Sequence, residues 1–192
     1  TFLLLFAKRK RDHYIGEIVL GFGVLFYGLM LMGDALKVLK NIPDFQSLTI
    51  VFASQPLLAV LGGALMTAII QSSSAMIGII QKIYESGGIT FQAALPFVFG
   101  SNIGTTITAA LAAIGGSLAA RRAAGVHTLF NVLMTIVSLL ILPFYFQIMD
   151  YLTVTLHLES MMQIAVAHII FNIVGTILFF PFIKQLVWTI KH

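Results

Sequence analysis

Apolar residues run through this chain in long stretches rather than in alternation with polar ones. That pattern predicts helices and argues against a transmembrane β-barrel. Residues 14–36 form the first full stretch, and 23 residues make about 34 Å of helix, enough to cross a hydrocarbon core of about 30 Å. Residues 123–144 and 161–182 are two further spans. Between the first span and these two the pattern changes. Residues 56–70 give only about 22 Å of helix, too little to cross. The uncharged polar run Gln71-Ser72-Ser73-Ser74 follows at once. Residues 75–84 are again short, residues 85–88 read as a turn, and residues 90–99 contain Pro96. A second polar run, Gly100-Ser101-Asn102-Ile103-Gly104-Thr105-Thr106, precedes a short piece at 107–118. Short hydrophobic segments interrupted by Gly or Pro predict discontinuous helices and re-entrant hairpins. Such backbone is tolerated at membrane depth only where protein or a water-filled cavity surrounds it. Ser54 is the expected N-cap of the helix at 56–70, with Pro56 in its first turn. Gly21, Gly23, Gly28 and Gly33 would let another helix approach the first span closely.

Composition agrees with this reading. The chain has 192 residues, of which 59% are hydrophobic and 9% charged, and its mean hydropathy is +1.00. A soluble domain carries about 25% charged residues, so the expected fold class is an all-α polytopic membrane protein. The net charge of +4 comes from basic residues at span ends and does not point to nucleic acid. Cysteine is absent, which excludes a disulfide and a thiolate metal site. Lys8-Arg9-Lys10-Arg11 come after the apolar residues 1–7, the reverse of a secretory signal. Residues 1–13 therefore read as the end of a preceding span and a cytoplasmic basic loop, 14–187 as the membrane-embedded part that holds both polar runs, and 188–192 as a tail. By the positive-inside rule residues 8–11, Arg121-Arg122 and Lys184 with Lys191 lie inside. Residues 37–45 and the acidic loop 145–160, with Asp150 and Glu159, lie outside. The segment 45–121 must then cross an odd number of times. A re-entrant hairpin around residues 71–74 and one interrupted crossing around residues 100–106 satisfy this.

A local repeat stands out. Residues 123–131 and 164–172 share the pattern His-x-x-Phe-Asn, with His127, Phe130 and Asn131 in one copy and His168, Phe171 and Asn172 in the other. In each copy His and Asn are four apart, on one helix face. An asparagine in a span bonds to another helix or to irregular backbone, so both structural bonding and contact with a solute stay open. No arrangement of nucleophile and base, paired carboxylates or transition-metal ligands supports an enzyme. Hydroxyls, amide oxygens and freed carbonyls are hard neutral ligands that suit an alkali cation. The N–H groups orphaned where a helix begins suit an anion. Serines in membrane helices also bond back to their own backbone. Two polar clusters beside expected helix breaks point instead to a small-ion site in a transporter or channel.

Three blocks carry a family resemblance. They are Thr67-x-x-x-Gln71-Ser72-Ser73-Ser74-Ala75, then Gly100-Ser101-Asn102-Ile103-Gly104-Thr105-Thr106-x-Thr108, then Arg121-Arg122-Ala123-Ala124-x-x-His127-x-x-Phe130-Asn131. In order and spacing they resemble the sodium/phosphate cotransporter family, over residues 14–182. The resemblance implies sodium-coupled symport of inorganic phosphate across a cell membrane by alternating access. Family members carry two inverted repeats, and this chain looks like the second, so the facing repeat is expected on the same or another chain. The implied phosphate site is Gln71, Ser72, Ser73 and Ser74. Ser101, Asn102, Gly104, Thr105, Thr106 and Thr108 are expected to hold sodium or phosphate, and Thr67, Asn131 and Asn172 to support them. Sodium is the expected coupling ion, with no other cofactor, and homo-oligomerisation is compatible with the pattern. A membrane-bound anion sensor, or a transporter of another anion on the same fold, are the alternatives.

Overall fold

The computed structural model describes residues 9–36 and 41–191. The apolar residues 1–7, together with Lys8, Lys37, Lys40 and His192, lie outside the described residues. Among the described residues all regular structure is helical. Helix α1 spans Lys10–Leu36, α2 Pro43–Ser54, α3 Pro56–Ile70, α4 Ser73–Glu85 and α5 Phe91–Ala113. Helix α6 spans Leu118–Leu140, α7 Leu142–Leu156 and α8 Ser160–Phe179, and a 3-10 turn at Phe180–Phe182 leads into α9 at Ile183–Lys191. Helices α1, α5, α6 and α8 with its continuation are long and apolar enough to cross a membrane, and α2 with α3 forms a pair bent by 111°. The all-α polytopic class is therefore what the chain folds into.

Prolines and small polar residues set many of the boundaries. Pro43 opens α2, so the expected loop at 37–45 ends earlier than its polarity suggested. Ser54 does not cap the next helix: it is the last residue of α2, and its Oγ donates to the Val51 carbonyl at 3.0 Å. Gln55 makes the bend, and Pro56 starts α3. Thr90 and Ser117 cap α5 and α6 by accepting from Ala93 and Ala120 N–H groups. Arg121 and Arg122 lie in the first turns of α6 rather than in a loop. Pro143 sits in the first turn of α7, and the expected outer loop at 145–160 is largely this helix. Its Tyr145 and Met149 face the core, and Tyr145 Oη donates to the Ala167 carbonyl of α8 at 2.6 Å.

The largest departure concerns α5. An interrupted crossing was expected around residues 100–106, yet α5 runs unbroken from Phe91 to Ala113 and takes Pro96 and both glycines in its stride. Its polar side chains explain why. Asn102 Nδ2 donates to the Val98 carbonyl at 2.9 Å, Thr105 Oγ1 to Ser101 at 2.9 Å and Thr106 Oγ1 to Ile103 at 2.7 Å. Each bond satisfies the polar group within its own helix. The glycines serve close packing instead of a turn. A Cβ at Gly100 would overlap the Val60 carbonyl, one at Gly104 the Ala64 carbonyl, and one at Gly63 the Phe97 carbonyl. Helices α3 and α5 therefore meet backbone to backbone, the small-residue contact that suits helices in lipid. Thr67 Oγ1 donates to Ser101 Oγ at 3.0 Å inside this seam. On its other side α5 packs Phe99 against Tyr145 and Phe171, at ring separations of 5.4 and 5.0 Å. Four glycines of α1 behave differently: among the described residues Gly21, Gly23 and Gly28 have open space around them, while Gly33 meets Lys82 of α4.

Candidate functional site

The site begins at the break between α3 and α4. Gln71 ends α3 in the left-handed region, with φ of 56°, and its N–H bonds to the Thr67 carbonyl at 2.7 Å. A non-glycine residue there is unusual and marks a constrained point. Ser72 is extended and caps α4, its Oγ accepting from the Ala75 N–H at 3.2 Å. The N–H groups of Ser73 and Ser74 precede the first helical bond of α4, a 13-residue helix. The carbonyl end of one helix and the N–H end of another thus adjoin across two residues. Both helices pack on α5.

Asn102 is the central residue of α5, with eleven residues on each side in a 23-residue helix. At that height a cavity of about 310 Å³ opens between four helices. Helix α4 gives it Ser73, α5 gives Asn102 and Thr105, α6 gives His127, Phe130 and Asn131, and α8 gives His168 and Asn172. At about 30 Å³ per water molecule there is room for a small tetrahedral anion with companion ions or water. Among the described residues no Lys, Arg, Asp or Glu lines the cavity.

The three asparagines are held alike. Asn102, Asn131 and Asn172 each donate from Nδ2 to the carbonyl four residues back, on Val98, His127 and His168, each at 2.9 Å. Tying down the nitrogen leaves each Oδ1 as the freer end of its amide. Asn102 Oδ1 lies 3.3 Å from His168 Nε2 across the α5–α8 contact. The cavity therefore gathers amide oxygens, two hydroxyls and a helix N-terminus around a space without fixed charge. Amide and hydroxyl oxygens suit an alkali cation, and the helix N-terminus favours an anion.

The predicted residues divide by position. Ser73, Asn102, Thr105, Asn131 and Asn172 come together in the cavity. Gln71 and Ser74 are exposed beside the break, and Ser72 is its cap. Thr67 and Ser101 are fully buried in the α3–α5 seam, Gly104 packs there, and Thr106 is buried against its own turn. Thr108 is exposed on α5 and is not a cavity residue. His127, His168 and Phe130 line the cavity although they were not among the expected ligands. The repeated His-x-x-Phe-Asn pattern was their signal.

These features define a multi-pass membrane protein built around an uncharged, oxygen-lined cavity. Residues 37–187 match the Na+/Pi-cotransporter family, and the chain belongs to that family. It is 34% identical over 167 residues to "Uncharacterized protein YqeW" of Bacillus subtilis (strain 168), covering 87% of this chain and 53% of the relative. It is 35% identical over 136 residues to "Sodium-dependent phosphate transport protein 2B" of Homo sapiens, covering 65% of this chain and 20% of that protein. It is 28% identical over 179 residues to "Putative inorganic phosphate export protein YjbB" of Escherichia coli (strain K12), covering 93% of this chain and 32% of that protein. The chain thus spans about half the length of the Bacillus relative and a third or less of the other two. No solved structure matches the chain.

Proposed function

We propose that this chain forms part of a sodium-coupled phosphate transporter, with the cavity at Asn102 as its share of the substrate site. The observation that carries the proposal is the convergence of Ser73, Asn102, Thr105, Asn131 and Asn172 on one cavity that, among the described residues, is lined by no Lys, Arg, Asp or Glu. A phosphate ion there meets no Arg or Lys. Its charge is offset by bound sodium and by the N-terminus of α4, which couples the anion to the cation. Sodium is the coupling ion of the proposal, held by amide and hydroxyl oxygens. His127 is exposed at the cavity's edge, and in this proposal a facing repeat on the same or another chain completes the site. Alternating access then exposes the cavity to each side in turn. The human relative's name supports sodium dependence and phosphate as the solute.

The test is uptake of labelled phosphate by vesicles carrying the full-length protein. A rate that rises with an inward sodium gradient is expected. Uptake indifferent to sodium removes the coupling, and sulfate competing as well as phosphate removes the assigned anion. The Escherichia coli relative is named for phosphate export, which favours outward transport as the second reading. Phosphate efflux from loaded vesicles without sodium-driven uptake would establish that direction instead.

A further inference from the structure

We infer that His168 is a positioning residue that holds the Asn102 amide in the orientation the cavity uses. For what the cavity binds, this rests on the transport reading above. Asn102 Nδ2 donates to Val98 of its own helix at 2.9 Å, which leaves Oδ1 facing α8. That oxygen can only accept. His168 Nε2, 3.3 Å away, therefore carries the hydrogen, and the imidazole is held with Nε2 as donor. The ring takes one lone pair of Oδ1. The second lone pair and the second Nδ2 hydrogen remain for the cavity.

Asn131 and Asn172 differ in this respect. Each has the bond to the carbonyl four residues back, and among the described residues neither has a second helix fixing its oxygen. Asn102 is also the central residue of α5 and is 8% exposed, so rotation of its amide would change a buried wall of the cavity. The His168 carbonyl in turn accepts from Asn172 Nδ2, so Asn172, His168 and Asn102 form one bonded chain from α8 to α5. Among the described residues no Lys, Arg, Asp or Glu lines the cavity beside the ring. From α6 the cavity receives His127, from α4 and α5 only Ser73, Asn102 and Thr105, and Tyr145 of α7 is engaged by the Ala167 carbonyl.

The test uses full-length protein in vesicles with His168→Phe, which keeps a ring but removes the donor, and His168→Gln, whose amide N–H reaches the place of Nε2. His168→Phe is expected to raise the phosphate or sodium concentration for half-maximal uptake about two- to tenfold, the worth of one hydrogen bond, with a smaller change in maximal rate. His168→Gln should recover most of the loss. Equal losses in the two variants overturn the inference. The melting temperature of the ligand-free protein gives a second, transport-independent reading through a cycle with Asn102→Ala. Shifts for His168→Phe that vanish in the Asn102→Ala background support the bond, and additive shifts overturn it. If the wild-type protein moves no phosphate under any sodium gradient, the transport reading fails, and the melting cycle alone then decides whether His168 positions Asn102.

Discussion

The three serines of the run at 72–74 have three different environments, so their substitutions should separate. Ser72 caps α4 through its bond from Ala75 N–H. Replacing it with alanine should lower stability by about 1 kcal/mol, read as a fall in melting temperature. Ser73 lines the cavity. Ser73→Ala should weaken apparent phosphate or sodium affinity about two- to tenfold in vesicle uptake, with little change in melting temperature. Ser74 is exposed and outside the cavity, so Ser74→Ala should stay near wild type in both measurements. Equal transport losses at Ser73 and Ser74 would mean that the run binds as a unit and that the cavity is drawn too narrowly.

Helices show where the sequence could be read and where it could not. The break at Gln71-Ser72 followed from length alone, since residues 56–70 are too few to cross. The continuity of α5 did not follow, because glycine in a membrane segment signals either a turn or a close neighbour. The neighbour, α3, decides it, and a one-dimensional pattern does not reveal which helix lies alongside. The same ambiguity in α1 resolved the other way, with Gly21, Gly23 and Gly28 left open. Residues 145–160 misled for a related reason: two acidic residues and no basic ones suggested a loop, while the inward face of Tyr145 and Met149 made a helix. For the site, the His-x-x-Phe-Asn repeat was legible, but its meeting with Ser73 and Asn102 depends on how α4, α6 and α8 surround α5. Substitutions at the two kinds of glycine should diverge. Gly100→Ala drives a methyl into the Val60 carbonyl and should destabilise the protein by about 1–3 kcal/mol or more. Gly28→Ala has open space and should leave stability unchanged or raise it by up to about 1 kcal/mol, read as an equal or slightly higher melting temperature.

At the level of the molecule, the helix order and the positive-inside rule together predict a topology that can be checked. The basic residues at 9–11 place the start of α1 inside, and α1 crosses to the outer side. Arg121 and Arg122 place the start of α6 inside. One continuous crossing, α5, lies immediately before them. On that topology α2, α3 and α4 should begin and end on the outer side, and the pair α3–α4 should enter and return with its break at the depth of Asn102. An unbroken α5 thus satisfies the odd crossing number that an interrupted helix was expected to supply. Two exposed positions flank α5, Glu85 at the end of α4 and Ile114 in the turn before α6. This chain has no cysteine, so Glu85→Cys and Ile114→Cys can each be probed in the full-length protein once any cysteines elsewhere are removed. A membrane-impermeant maleimide added to intact cells should label position 85. Position 114 should react only after the membrane is opened. Labelling of both from the same side would require α5 not to cross, and the cavity around Asn102 could then not lie between the two aqueous phases.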